Sequence, residues 1–406
     1  MKCRHCGAPV EQTFIDLGFA PPSNAYLNPE DLNGLEAIYP LRTRVCGVCW
    51  LVQTEDYTQA EELFSGDYAY FSSTSTTWLN HAARYVAEVT ERLQLTQSSF
   101  VVEIAANDGY LLKNFVTAGI PCLGIEPTDS TAAAAERLGV PVLRQFFGEK
   151  LGSSLAAAGQ QADLIVGNNV FAHVPDINDF TRGLKQLLKP TGTITLEFPH
   201  LMQLVRHKQF DTIYHEHFSY LSLHTVSKIF TQMGLQVWDV AEIPTHGGSL
   251  RVYGCHAGAR SISNEVTALL EQEKAAGLQD LSTYQGFQEE VDQIKGQLLE
   301  FLMAQKNAGK IVVGYGAAAK GNTLLNYAGV KPDLLPFICD AAPSKQGKLM
   351  PGSHIPIFAP AQIQEQKPDY VLILPWNLQS EIMEQLGYIR NWGGLFVTAI
   401  PSLKIW

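Results

Sequence analysis

Apolar residues recur at helical spacing through "WLNHAARYVAEVTERL", from about residue 78, and then gather into short continuous runs. The stretch "SFVVEIAANDGYLLKNFVTAGI" reads as strand, turn and helix, and "CLGIEP", "ADLIVGNNVFAHV" and "GTITLEFP" add further buried strands. Strands that alternate with helices predict a parallel sheet covered on both faces, with ligands held beyond the carboxyl ends of its strands. Residues 262–308 carry a long amphipathic stretch that predicts a pair of helices ended by Gly309. A second strand-turn-helix unit opens at "KIVVGYGAAAKGNTLLNYAGV" and continues through "LLPFICD", "YVLILPWN" and "GLFVTAIP". The C-terminal third is therefore expected to be another small α/β domain, alike in architecture to the first and unlike it in sequence.

Composition narrows this picture. A chain of 406 residues exceeds what one hydrophobic core usually serves, so two or three domains are expected. A net charge of -11 with no long Lys/Arg run argues against nonspecific nucleic-acid binding. No apolar run approaches the roughly 20 residues needed to cross a bilayer, and "MKCRHCG" lacks the apolar centre of a signal peptide, so a cytoplasmic location is expected. No dimerisation coiled coil is evident, which leans the expectation toward a monomer.

In that compartment paired cysteines are better read as metal ligands than as disulfides. "CRHC" and "CGVC" place Cys3, Cys6, Cys46 and Cys49 as two Cys-x2-Cys knuckles, a set suited to one tetrahedral, structural Zn2+. Gly47 and Gly7 are read as the residues that allow the tight knuckles, and His5 as a bystander.

The two α/β units differ in the ligands they suit. In the first, Glu103 ends one strand, "AANDG" follows, and Glu126 ends the next, where a ribose diol needs a carboxylate acceptor. Ala105 and Ala106 stand where glycine is common, leaving Gly109. An Asp-containing turn repels a pyrophosphate but favours S-adenosylmethionine, which has no phosphate and carries a cationic ammonium and sulfonium. Asp108 either contacts that ligand or caps the following helix. The second unit, "GYGAAAKG" with Asp340 at the next strand end, fits a Gly-x-Gly-x-x-Ala fingerprint. It suits a nicotinamide dinucleotide, the diphosphate of a sugar nucleotide met by Lys320, or no ligand at all.

A third feature is "FDTIYHEHFSYLS", which crowds Tyr214, His215, Glu216 and His217 between apolar side chains. A metal reading is weak, because zinc hydrolases space their histidines four apart on a helix and here they are two apart. A bland core would have to partner four polar groups in a row. A proton-moving centre is the better reading. In "HGGSLRVYG", His246 and Arg251 either touch substrate or serve plain loop structure. His81 is read as a satisfied histidine, and Cys122, Cys255 and Cys339 as small core residues.

Taken together, the Cys knuckles, "YAYFSSTS", "VVEIAANDG", "NNVFAHVPD", "FDTIYHEHFSYLS", "GYGAAAKGNTLLN" and "DAAPSKQGKLMPGSHIPI" resemble the three-domain, S-adenosylmethionine-dependent sugar C-methyltransferases that act on nucleotide-linked deoxyketosugars. The resemblance covers nearly the whole chain. It implies a zinc-binding domain over residues 1–65, a Rossmann-like methyltransferase domain over 66–258 and a C-terminal α/β, Rossmann-like nucleotide-sugar-binding domain over 259–406. It departs at Ala105, where the family usually has Gly.

By the same carry-over Glu103, Asp108, Glu126 and Asn168 line the cofactor site, to which we also assign Ala105, Asn107, Gly109, Phe146 and Phe147. His173, Tyr214, Glu216 and His217 face the reacting carbon. His217 is taken as the base, Tyr214 as the enolate donor, Glu216 as the orienter of an imidazole and His173 as the reserve base. Tyr68 and Tyr70 close over the site, and Lys320, Asn322 and Lys345 hold the nucleotide diphosphate. The implied reaction is methylation at C-3 beside a C-4 ketone, with a nicotinamide-dependent sugar oxidoreductase as the alternative.

Overall fold

The computed structural model describes residues 1–57, 71–74 and 76–406. Tyr68, Tyr70 and the boundary expected at 65/66 lie outside the described residues. The N-terminal lobe is an antiparallel sheet of β1 (Gln12–Ala20), β2 (Tyr39–Val45) and β3 (Val52–Thr54). Along β2 the buried positions Leu41, Thr43 and Val45 alternate with half-buried ones, the period-2 pattern of a strand with one face on a core.

The central lobe carries β4 (Val101–Ile104), β5 (Cys122–Ile125), β6 (Val142–Leu143), β7 (Ala162–Asn168) and β8 (Leu188–Pro199), all parallel. All four residues of β4 are buried, which is why its apolar residues Val101, Val102 and Ile104 do not alternate with exposed polar ones. The short β9 (Ser219–Tyr220) leaves this lobe and pairs antiparallel with β3. β10 (Leu235–Ile243) and β11 (Ser249–His256) then complete the order β10-β11-β8-β7-β4-β5-β6. β11 runs antiparallel to both β8 and β10, so the sheet is mixed and not wholly parallel as expected. The physical reason is the short connection 244–248, which suffices for an antiparallel hairpin, whereas a parallel neighbour needs a long crossover.

Between residues 264 and 307 three helices form rather than a pair: Asn264–Ala275, Leu281–Gln285 and Phe287–Asn307. The first docks on the central lobe through Glu273, a fully buried carboxylate. Glu273 accepts from His200 Nε2 at 2.7 Å and from the backbone N–H groups of Leu223 and His224 at 2.6 and 2.8 Å. The third lies along β1 of the N-terminal lobe. The C-terminal sheet follows, from β12 (Val312–Tyr315), β13 (Ile338–Cys339), β14 (Ile357–Phe358), β15 (Tyr370–Ile373), β16 (Leu395–Thr398) and β17 (Lys404–Ile405), in the order β14-β13-β12-β15-β16-β17. Only its last strand is antiparallel. Among the described residues no helix is long and apolar enough to cross a membrane.

The three lobes meet around residues 210–220. Thr54 Oγ donates to the His217 carbonyl at 2.6 Å, Thr323 Oγ to the Ile213 carbonyl at 2.8 Å, and Trp376 Nε1 to Asp211 at 2.7 Å.

Candidate active site and zinc centre

The zinc centre is the simplest part of the site to build. In each knuckle the first cysteine carbonyl accepts the N–H four residues on, Gly7 to Cys3 and Trp50 to Cys46, both at 3.0 Å. That closure needs a left-handed residue at its end, and φ is 72° at Gly7 and 65° at Trp50. Gly47, expected to permit the second knuckle, is therefore not the demanding position; Trp50 is. The four sulfurs lie within 4.8 Å of one another, with Cys3–Cys49 at 3.5 Å and Cys6–Cys46 at 3.6 Å. A Zn–S distance of about 2.3 Å implies sulfur separations of roughly 3.8 Å, so the set fits the metal. His5 turns away and pairs through Nδ1 with Asn178 Oδ1 at 2.8 Å. Among the described residues this is the one cluster arranged to hold a metal ion, and "HEH" is not part of it.

The cofactor edge begins where β4 ends. Glu103 is buried, and desolvation, reinforced by Glu126 and Asp108, raises its carboxyl pKa well above the usual range. The turn that follows is left-handed at Ala105, Asn107 and Gly109, with φ of 58°, 49° and 76°. Gly109 is required twice over, since an added Cβ would also lie 3.0 Å from Ala135. Ala105 adopts a conformation that costs an L-residue about 1 kcal/mol, which explains why glycine suits that position. Glu126 accepts the N–H groups of Asn107 and Thr128, each at 2.9 Å.

Asp108 does not cap a helix. The helix Leu112–Thr117 has no side-chain cap, and Asp108 Oδ2 instead accepts the Ser73 N–H at 3.0 Å, beside Asn107 Oδ1 and the Ser72 N–H at 2.9 Å. Four buried polar atoms here lack a partner: Glu103 Oε2, Asp108 Oδ1, and both Asn168 side-chain atoms at the end of β7. Each unmet atom costs about 1–3 kcal/mol, so the edge is built for a polar ligand, and its acids select a cation. Beyond β6, Phe146 and Phe147 line a groove of about 390 Å³ with Leu151. Phe147 packs edge-on against Phe180 at 5.3 Å.

The Tyr214–His217 cluster is made by a turn. The His217 N–H bonds the Tyr214 carbonyl at 3.0 Å, so His215 and Glu216 occupy the corner while Tyr214 and His217 face one way, ring centroids 4.1 Å apart. His173, on the 3₁₀ turn after β7, brings its ring to 4.6 Å from His217. Both histidines donate from Nδ1 to carbonyls, His217 to Thr212 at 3.1 Å and His173 to Glu216 at 2.7 Å. A carbonyl can only accept, so the lone pair sits on Nε2 in each neutral ring. Burial holds His173 down at about 4, and burial aided by His173 holds His217 well below its ordinary value. Glu216 acts on an imidazole through its peptide carbonyl; its carboxylate, expected to do so, points instead to Ser23 and Asn24. His215 faces Tyr39 and Pro40, away from the cluster.

The expected substrate contacts divide. His246 meets the cluster edge, 3.4 Å from Asn169 Nδ2 and edge-on to Trp78 at 5.4 Å. Lys320 lies over the Trp376 ring at 4.7 Å, donates to Asn377 at 2.6 Å, and has its pKa lowered by burial against the pull of Asp211. Three others turn inward. Arg251, on the interior strand β11 rather than a loop, pairs with buried Glu197 at 3.0 Å. Asn322 donates to the Ser23 carbonyl at 2.6 Å, and Lys345 to the Ala317 carbonyl at 2.6 Å. His81 is satisfied by Glu197 at 2.9 Å. Glu197 itself was missed, although it stands at a strand end as Glu103 and Glu126 do.

The central lobe, a Rossmann-like fold, thus carries both an unmet acidic edge and a neutral imidazole–phenol pair, the features a methyltransferase acting on carbon would use. Three family models match in sequence: a zinc binding domain at 3–64, a methyltransferase domain at 78–240 and a C-methyltransferase C-terminal domain at 244–401. The C-methyltransferase NovU of Streptomyces niveus is 35% identical over 405 residues, covering 100% of this chain and 96% of that one. The chain belongs to this family and is an S-adenosylmethionine-dependent C-methyltransferase with a structural zinc. Among solved structures, it overlaps magnesium protoporphyrin IX methyltransferase of Synechocystis PCC 6803 with 14% identity and a TM-score of 0.34, over 44% of this chain and 79% of that one. The glycopeptide N-methyltransferase MtfA overlaps with 14% identity and a TM-score of 0.35, over 43% of this chain and 96% of that one.

Proposed function

We propose that the enzyme methylates C-3 of a nucleotide-linked 4-keto-deoxysugar. The observation that carries this reading is the Tyr214–His217 turn, with its rings 4.1 Å apart beside His173. Carbon offers no lone pair until a proton leaves, and a neighbouring ketone supplies the acidity. His217 Nε2 takes the C-3 proton, the C–H electron pair passes into the C-3–C-4 bond, and Tyr214 O–H steadies the enolate oxygen. His173, the reserve base, shares the site. When bound, S-adenosylmethionine would supply C-3 with an electrophilic methyl group, the new C–C bond forming as the S–C bond electrons stay on the departing sulfur. Glu103, Asp108 and Asn168 hold its cationic and polar groups, and Glu126, Phe146 and Phe147 border its adenosine end. Lys320, a half-buried cation between the central and C-terminal lobes, takes the anionic diphosphate, and His246 borders the sugar. The same reading has the enzyme work as a cytoplasmic monomer.

The test uses a thymidine-diphosphate-linked 4-keto-6-deoxysugar in deuterated solvent. Enzyme without cofactor should exchange the C-3 proton, and His217→Asn should not. Exchange and methylation that both survive His217→Asn and Tyr214→Phe at saturation would overturn the mechanism.

A further inference from the structure

We propose that the zinc-binding lobe takes part in the reaction through Ser23 and Asn24, positioning residues that hold the Glu216 carboxyl and thereby the Tyr214–His217 turn. The inference rests on the reading that this turn carries the chemistry. Ser23 Oγ donates to both carboxyl oxygens, at 3.2 and 3.1 Å, and Asn24 Nδ2 donates to Oε1 at 3.3 Å. Ser23 is 3% exposed and Glu216 2%, and among the described residues no cation forms an ion pair with that carboxyl. The ionisable side chain facing it from β9 is Tyr220.

Glu216 is therefore gripped on two sides with different consequences. Its side chain belongs to the zinc lobe, while its carbonyl fixes the tautomer of His173. The zinc lobe also takes the next residue, since Thr54 Oγ donates to the His217 carbonyl. Ser23 is in turn anchored by Asn322 of the C-terminal lobe, at 2.6 Å. A hydrogen-bonded path thus runs from the C-terminal lobe through the zinc lobe into the two histidines, and zinc supports the lobe at its centre.

The Ser23→Ala/Asn24→Ala double variant tests this, beside Ser23→Thr and Glu216→Gln, with the same thymidine-diphosphate-linked ketosugar. The double variant should keep its zinc and its S-adenosylhomocysteine affinity and lose kcat by about ten- to a hundred-fold, as misplaced catalytic groups do. The acid limb of its pH profile should move upward, because both donors hold the Glu216 pKa down against burial. Ser23→Thr should restore both. Should the double variant fold poorly, Asn24→Ala removes only the half-buried donor and should show a smaller shift in the same direction. A zinc-loaded variant with the kcat and pH profile of the wild type, beside an inactive Glu216→Gln, overturns the clamp alone. A fully active Glu216→Gln overturns the reading of the turn and the clamp with it. Nitrogen-15 spectra without sugar supply the substrate-free arm: His173 should be a single Nδ1–H tautomer in the wild type and mixed in the double variant, and identical spectra overturn the clamp.

Discussion

The two α/β lobes each offer a strand, a turn and an acid at the next strand end that accepts two backbone N–H groups, Glu126 in one and Asp340 in the other, yet they differ in the groups around that turn. In the central lobe the turn after β4 leaves Glu103 Oε2, Asp108 Oδ1 and Asn168 unpartnered in the interior. In the C-terminal lobe Asp340 also has a cation beside it. Its oxygens accept the N–H groups of Ala317 and Ala342 at 2.7 and 2.8 Å, and Lys345 stands 3.8 Å away. Tyr26 of the zinc lobe then bonds the Ala317 carbonyl at 2.7 Å, covering the turn that a dinucleotide would occupy. The strand-turn-acid arrangement is thus shared by a turn with open valences and by one that the protein itself covers. Tyr26 and Lys345 lie over the turn that a nicotinamide dinucleotide would need, and the match to a C-methyltransferase over the whole chain speaks against the oxidoreductase alternative.

The largest expected effect lies on the open side. His217→Asn removes the proposed base and should lower turnover by about 10²–10⁴-fold, with S-adenosylhomocysteine affinity intact by calorimetry. On the closed side, Asp340→Ala strips two buried amides of their acceptor. It should lower unfolding stability by about 1–3 kcal/mol in denaturant titrations and leave cofactor affinity alone. A change in cofactor affinity there would break the contrast.

A finer effect concerns the sign of charge. Glu103→Gln should weaken S-adenosylmethionine about ten-fold relative to S-adenosylhomocysteine, which lacks the sulfonium charge but keeps the ammonium, a difference of about 1.4 kcal/mol. Because the Glu103 pKa is raised in the protein and a cation favours the carboxylate, S-adenosylmethionine should bind more tightly as pH rises and release protons. Calorimetry in two buffers of different ionisation enthalpy reads this directly.

The smallest effect is the pH dependence of the histidines. His173 is depressed from 6.5 to about 4 and His217 moves the same way, so the unfolded chain binds protons first on acidification. Their contribution to stability is complete above pH 6.5 and is lost as pH falls toward 4. Turnover should likewise show no acid limb at the ordinary imidazole value.

Much of this was legible because it is local. Period-2 and period-3.6 patterns, cysteine spacing and acids at strand ends all arise within a few residues of one another. What escaped was set by partners distant in sequence. Arg251 and Lys345 look like ligand contacts until an interior strand and a folded-back turn supply Glu197 and the Ala317 carbonyl. Ser23 and Asn24 carried no motif, since their meaning comes from Glu216, 193 and 192 positions away. The turn at 214–217 was visible as a cluster, but its corner was not.

By itself the sequence determined the kinds of groups present: a thiolate set for zinc, an acidic edge suited to a cationic donor, and imidazole beside phenol, the pair proposed to move a proton. Tertiary structure decided which of these groups remain unmet and face one another. Protonation state, tautomer and open valence depend on burial and on partners that only folding brings into contact.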